Sequence, residues 1–208
     1  VGYNAMNLNI AIGDNFDRKS RNRFKVNTTN LNGEKVEAEV KIVVHKLKEP
    51  TKIFRQNLWE RPDYQTFTKE EYYKLFPFDL YEKEDDVSTF EKEKEVLTIP
   101  FNTASKDSVQ FPSLKSWETG RYIMQATSID AFGEEVKDIQ YFTLYDNNSK
   151  KNPTNEVLWF TPVKTYVEPG DQAEFLIASG DENLQVFYEI EHKGKIVSKK
   201  WLKLTKEQ

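Results

Sequence analysis

The sequence predicts an all-β chain: an antiparallel β-sandwich over residues 1–146 that carries an aromatic-rich insertion, then a second, truncated β-domain. Three observations predict it. Apolar and polar residues alternate with a period of two along most of the chain. Turn-forming residues fall between the alternating runs. Aromatic residues make up 13% of the 208 residues, too many for a disordered chain.

The elements follow in order. Leu8, Ile10 and Ile12 alternate with Asn9 and Ala11, and Phe24, Val26 and Thr28 alternate with Lys25 and Asn27. Val36, Ala38, Val40, Ile42 and Val44 continue the pattern. Each run is a strand with one buried and one wet face. Asn32-Gly33 tolerates positive φ at both positions, which predicts a hairpin pairing strands 23–29 and 36–47.

Residues 49–94 differ. Pro50, Pro62 and Pro77 punctuate a segment holding Phe54, Trp59, Tyr64, Phe67, Tyr72, Tyr73, Phe76, Phe78 and Tyr81. Thr68 followed by Lys69-Glu70-Glu71 predicts an N-capped helix over 68–75. The mixed charges of Glu82 to Glu95 read as a solvated run. Strands resume at Val96–Ile99 and at 122–129. After the turn Asp130-Ala131-Phe132-Gly133, Val136, Ile139, Tyr141 and Leu144 form a return strand with a bulge near Lys137-Asp138. About seven strands before residue 146 suit a sandwich.

The polar stretch at 147–155, with Pro153 inside, is the linker candidate. Residues 156–208 hold four or five further strands. Turns separate them at Glu168-Pro169-Gly170-Asp171 and at Lys193-Gly194. A sandwich needs about 100 residues, so this second unit is the N-terminal part of a domain. The chain begins at Val1 without an initiator Met and ends at Gln208, which reads as a fragment of a longer chain.

Composition excludes several functions. A net charge of −4 argues against nucleic acid as a partner. No apolar run approaches the roughly 18 residues of a membrane helix, so no membrane insertion by this segment is expected. Without cysteine there are no disulfides, zinc–thiolate sites or thiol catalysis. His45 and His192 are the two histidines, and each reads as an edge-strand residue rather than a ligand. Asp79, Glu82, Glu84, Asp85 and Asp86 cluster without calcium-loop spacing. Ser113, Ser116 and Ser128 have no histidine nearby in sequence. No catalytic residue, metal site or cofactor is expected.

The aromatic insertion has two readings. It is a packed lid over an open sheet edge or face. Alternatively, Trp59, Tyr64, Tyr72, Tyr73, Phe76 and Phe78 form an interaction surface on which sugars or peptides stack.

Three motifs carry a family resemblance. Glu168-Pro169-Gly170-Asp171-Gln172-Ala173-Glu174-Phe175, preceded by Tyr166, resembles the strand–turn–strand that opens many macroglobulin domains. Trp117-x-x-Gly120-x-Tyr122, then Ser128-x-Asp130-x-Phe132-Gly133, resembles the close of the same domain type. Asn30-Leu31-Asn32-Gly33-x-x-Val36-x-Ala38 is similar to a hairpin seen in these domains. With the insertion, the chain resembles the alpha-2-macroglobulin-like envelope proteins of Bacteroides-type bacteria.

The resemblance implies immunoglobulin-like sandwiches strung in series as a non-catalytic scaffold of a protease-trapping protein. It implies a periplasmic or envelope location. It implies neighbouring domains of the parent chain as partners, and proteases as partners through that parent. The family's thioester motif needs a cysteine, which this chain lacks.

Overall fold

A computed structural model describes residues 4–55, 58–60 and 62–208. Contacts group the chain into two units. The first comprises the residues up to Lys48 and Glu91–Asp146; the second comprises Glu49–Phe90 and Asn147–Gln208.

The first unit is an immunoglobulin-like β-sandwich. One sheet runs β1 (Met6–Ala11), β3 (Arg23–Asn30), β6 (Ser108–Gln110). The other has the order β2 (Asn15–Asp17), β8 (Glu135–Tyr145), β7 (Gly120–Ile129), β4 (Glu39–Lys48), β5 (Glu91–Asn102). The pairings are antiparallel except for β2, which lies parallel to β8. The chain therefore changes sheets between β1 and β2. Alternation fills the core as the sequence requires: Leu8, Ile10, Phe24 and Val26 from one sheet meet Val40, Ile42, Val44, Met124 and Leu144 from the other.

Tyr122 anchors the entry to β7. It is fully buried, and its ring stacks on Phe142 at 5.3 Å. Its hydroxyl donates to the Glu118 carbonyl, 2.6 Å away and four residues upstream. A tyrosine at this point, bonded back to the preceding backbone, is the tyrosine corner of immunoglobulin-like folds. Burial pushes its phenol far above the ordinary range.

Two expectations are corrected here. The Asn30–Gly33 turn forms, with Gly33 at φ +84° and the Asn30 side chain accepting from Asn32 N and Glu34 N. Beyond one bridge, Thr29↔Lys35, β3 and β4 do not pair; they lie in different sheets. Thr103 captures the departing strand: its Oγ1 accepts from Ala38 N at 2.9 Å, and its own N–H donates to the Ala38 carbonyl. The second correction concerns β8. Its register with β7 is unbroken from Gly120↔Leu144 to Ile129↔Glu135, so there is no bulge at Lys137-Asp138. Asp138 occupies an inward position between Val136 and Phe142, where its carboxylate accepts from Ile10 N at 2.6 Å. A satisfied inward carboxylate interrupts the hydrophobic pattern without shifting its phase.

The run Glu91–Glu95 is solvated, as expected, and forms the exposed first part of β5. As an edge strand it keeps charges in water and blunts the open edge. Register shifts do occur, in the β4–β5 ladder at Val44/His45 and Lys46/Leu47.

In the second unit, β9 (Trp159–Lys164) pairs with β10 (Glu174–Ala178), and β11 (Leu184–His192) pairs with β12 (Lys195–Leu204). Each pair is its own two-stranded sheet. Lys193 at φ 50° and Gly194 at φ 75° make the two-residue turn of the second hairpin. The segment expected as an insertion of the first sandwich groups here, together with the expected linker. Asn155 shows why: its N–H donates to Glu49 at 2.8 Å, and its side-chain amide donates to the Pro50 carbonyl at 2.7 Å. Lys151 also bridges to Glu207.

Candidate functional site

The aromatic segment is built around α1 (Lys69–Leu75). Its start is a reciprocal capping box. Thr68 Oγ1 accepts from Glu71 N, and the Glu71 carboxylate accepts from Thr68 N at 2.9 Å. Those Thr68 donors hold the Glu71 carboxyl below its usual range.

The helix buries Tyr72. Around it lie Tyr73, Phe76 and Tyr81, with ring centroids 6.0, 5.2 and 5.3 Å away. Phe54 joins through Tyr73 at 6.1 Å. Tyr81 donates its hydroxyl to the Phe67 carbonyl at 2.9 Å. The Tyr81 tip thus finds a carbonyl while its ring packs, whereas the Tyr73 hydroxyl is buried without a hydrogen-bond partner.

Charge surrounds the rings. Asp79 is buried and receives Arg55 through both Nε and Nη2, the latter at 3.2 Å. Lys69 pairs with Glu84 at 2.7 Å and Glu82 at 3.4 Å, and its ammonium stands 5.8 Å from the Tyr81 ring centre. Lys52 lies 4.9 Å over the Tyr73 ring. Burial raises the Glu84 carboxyl, but hydrogen bonds led by Lys69 outweigh it and hold the group below its usual value. Burial first, and then the neighbouring Glu84 carboxylate, push the Tyr73 phenol far up.

The six expected surface residues therefore divide. Tyr72, Tyr73 and Phe76 belong to the ring cluster. Trp59, Tyr64 and Phe78 face water, at 52%, 82% and 63% exposure. The first three support packing; the last three are exposed.

Of the other sequence candidates, Asp86 and Ser128 have local hydrogen-bond partners. Asp86 caps a short 3₁₀ turn by accepting from Ser88 N at 2.9 Å. Ser128 donates to the Glu39 carbonyl at 2.7 Å, and Ser116 ends a 3₁₀ turn. His45 Nε2 is 4.0 Å from Glu95, and His192 ends β11 in the other unit. Among the described residues, no group of three or more histidine, aspartate or glutamate side chains could hold a metal ion. No helix among them is long and apolar enough to cross a membrane.

The sequence reading missed one surface. Phe160, Phe175, Phe187, Ile190, Ile196 and Trp201 in the C-terminal hairpins are largely exposed. The strands were legible in the sequence, but the order of their residues carries no signal of whether a covering layer exists.

Two solved structures of Escherichia coli alpha-2-macroglobulin are similar to this chain. One is the trypsin-activated protein and the other the native conformation. Each match covers 97% of this chain and 14% of the other, at 13% and 12% identity, with a TM-score of 0.38 in both cases. The chain thus spans about a seventh of those proteins' length. No family model matches the sequence, and no curated protein does.

Proposed function

We propose that this chain is a non-catalytic scaffold segment of an alpha-2-macroglobulin-like protein of the cell envelope, whose parent traps proteases. One observation carries the reading: several carboxylates and a serine that could do chemistry are engaged in holding the fold. Asp79, Glu84, Asp86, Asp138 and Ser128 all bond to local partners. The motifs support it as well, because each falls where it builds structure. Asn30–Gly33 is a turn, Trp117–Tyr122 is the tyrosine corner, and Glu168–Asp171 is a turn closed by Asp171 N donating to the Glu168 carbonyl at 2.9 Å.

On this reading the two units are successive macroglobulin-like domains. Their partners are neighbouring domains of the parent chain, and proteases reach them only through that parent. The Bacteroides-type assignment and the periplasmic or surface location rest on the motifs. The test uses the parent protein with a stoichiometric amount of trypsin. Trapping predicts that cleavage of a large protein substrate falls while a small chromogenic peptide is still cleaved. Equal cleavage of both with and without the parent overturns the proposal.

A second reading is favoured by the exposure of Trp59, Tyr64 and Phe78: a carbohydrate- or peptide-binding module of a bacterial surface protein. A glycan array probed with the 208-residue chain tests it. Binding lost in the triple alanine variant supports the module; no binding by the native chain excludes it.

A further inference from the structure

The segment Arg18-Lys19-Ser20-Arg21-Asn22-Arg23-Phe24-Lys25 holds five basic residues in eight, in a chain whose net charge is −4. A run of this density marks a polyanion site when its charges are free and face one way. The fold sorts them. Arg18 and Lys19 are both paired with the buried Asp146, at 2.7 Å each. Arg21, Arg23 and Lys25 are exposed, and among the described residues none of their side chains has an ion pair or a hydrogen bond.

β3 is the central strand of its sheet, between β1 and β6. It alternates exposed and buried residues, so Arg23, Lys25 and Asn27 share the outer face while Phe24 and Val26 enter the core. The ladder places Asn9 beside Asn27, Ala11 beside Lys25, and Gln110 beside Arg23. The face is a row of cations flanked by amides and small residues. No aspartate or glutamate stands at an outward position of β1, β3 or β6. The loop into β6 carries Lys106 and Asp107, which are adjacent and opposite in charge. The facing sheet treats its charges differently: Lys46 pairs with Glu93 at 3.4 Å, and Lys48 with Glu91 at 3.5 Å. Arg23 and Lys25 stand two residues apart on one strand, about 7 Å, and no acidic residue of their sheet face offsets their repulsion. An anion laid along β3 does.

The other side chains select among anions. The face has no aromatic ring and no large apolar side chain. It therefore lacks the anchors of a protein hot spot, the stacking platforms for single-stranded nucleic acid and the apolar face that enters a membrane surface. Asn9, Asn27 and Gln110 are exposed, with their side-chain amides unbonded among the described residues. An amide both donates to and accepts from a hydroxyl, and a guanidinium takes a carboxylate in a two-pronged bond. A few cations set among amides match a chain with one carboxylate per sugar and hydroxyls between.

We propose that the outer face of the β1–β3–β6 sheet binds an anionic polysaccharide of the uronic-acid type, laid along β3. Arg21, Arg23 and Lys25 hold its carboxylates, and Asn9, Asn27 and Gln110 hold its hydroxyls. This goes beyond the scaffold reading, and it uses none of the exposed rings on which the alternative reading rests.

The test measures binding of the 208-residue chain to immobilised polygalacturonate by interferometry. The expected result is binding at low salt that is lost at about 1 M salt, where the screening length is about 3 Å. Neutral dextran is not bound. Arg21→Gln, Arg23→Gln and Lys25→Gln together weaken binding about tenfold, a few-fold for each exposed charge contact, and leave the melting temperature unchanged. Asn9→Ala with Asn27→Ala weakens it about fivefold and leaves its salt dependence as it was. No binding to polygalacturonate at low salt overturns the proposal. So does binding by the native chain that survives 1 M salt, or binding that is unaltered in the triple glutamine variant. Tighter binding to poly-glutamate, to single-stranded DNA or to phosphatidylglycerol vesicles overturns it by changing the occupant. Loss of binding when Trp59, Tyr64 and Phe78 are replaced by alanine overturns it by moving the site to the aromatic segment.

Discussion

Replacing Gly170 by valine isolates a backbone cost. Pro169 and Gly170 are the central residues of a turn whose ends are joined by Asp171 N donating to the Glu168 carbonyl at 2.9 Å. Gly170 sits at φ +99°, which fits the third position of a type II turn. A Cβ built there meets nothing within 4 Å, so a larger side chain adds no steric clash with its surroundings. The whole penalty is therefore conformational, about 2 kcal/mol for a β-branched residue forced to positive φ. The turn joins β9 to β10, so the loss is felt in the second unit. At roughly 4–8 °C per kcal/mol for a domain of this size, the melting transition of that unit falls by about 8–16 °C. Calorimetry gives the transition, and hydrogen exchange at residues 159–164 and 174–178 locates it. Gly170→Asn, which tolerates left-handed backbone better, loses less than valine. An unchanged melting temperature in Gly170→Val, with β9–β10 exchange unaltered, refutes the turn assignment.

Further outcomes follow from other contacts. Tyr122→Phe removes the hydroxyl that donates to the Glu118 carbonyl and costs about 1 kcal/mol in urea unfolding of the first unit. Glu84→Gln tests a pH effect. The folded carboxyl lies below its unfolded value, so its stabilisation is present above about pH 4.3 and is lost as pH falls through the lower folded value. Exchange of α1 amides is then faster in Glu84→Gln than in the native chain at pH 7, and equal at the acid end. Thr68→Ala removes the side chain that caps α1 and costs about 1 kcal/mol, read as loss of α1 protection. Alanine at Trp59, Tyr64 and Phe78 together leaves the melting temperature nearly unchanged, because these rings are exposed; a large fall places them in the packing instead.

The legible parts of the sequence were those with local causes. Thr68 and Glu71 cap a helix within one turn of chain, and α1 begins where they place it. Gly33, Gly133, Gly170 and Gly194 mark turns because positive φ is a property of one residue. Strand existence was legible from alternation for the same reason. Partnership was not. The pairing of β4 with β5 and β7 instead of β3 depends on Thr103, which lies 65 residues from Ala38 and is wholly buried. Thr103 and Asp138 look like outward residues in a binary pattern, yet each is satisfied inside. The aromatic segment shows the same limit. Nothing in the order of its residues separates Tyr72, which is buried, from Tyr64, which faces water.

The two units solve the problem of closing a β-sheet core differently. In the first, eight strands form two facing sheets, and Phe24, Ile42, Tyr122 and Leu144 are sealed between them. In the second, the inward faces of β9–β10 and β11–β12 stay half in water, although Phe160 and Phe175 stack as core residues do. A two-stranded hairpin is marginal on its own, and three strands with a shared apolar face are the usual minimum. The lysines of β12, at 195, 199, 200 and 203, keep that outer hairpin soluble and discourage unspecific edge pairing. β10 has no such guard after Glu174: Phe175, Leu176, Ile177 and Ala178 follow without a charge.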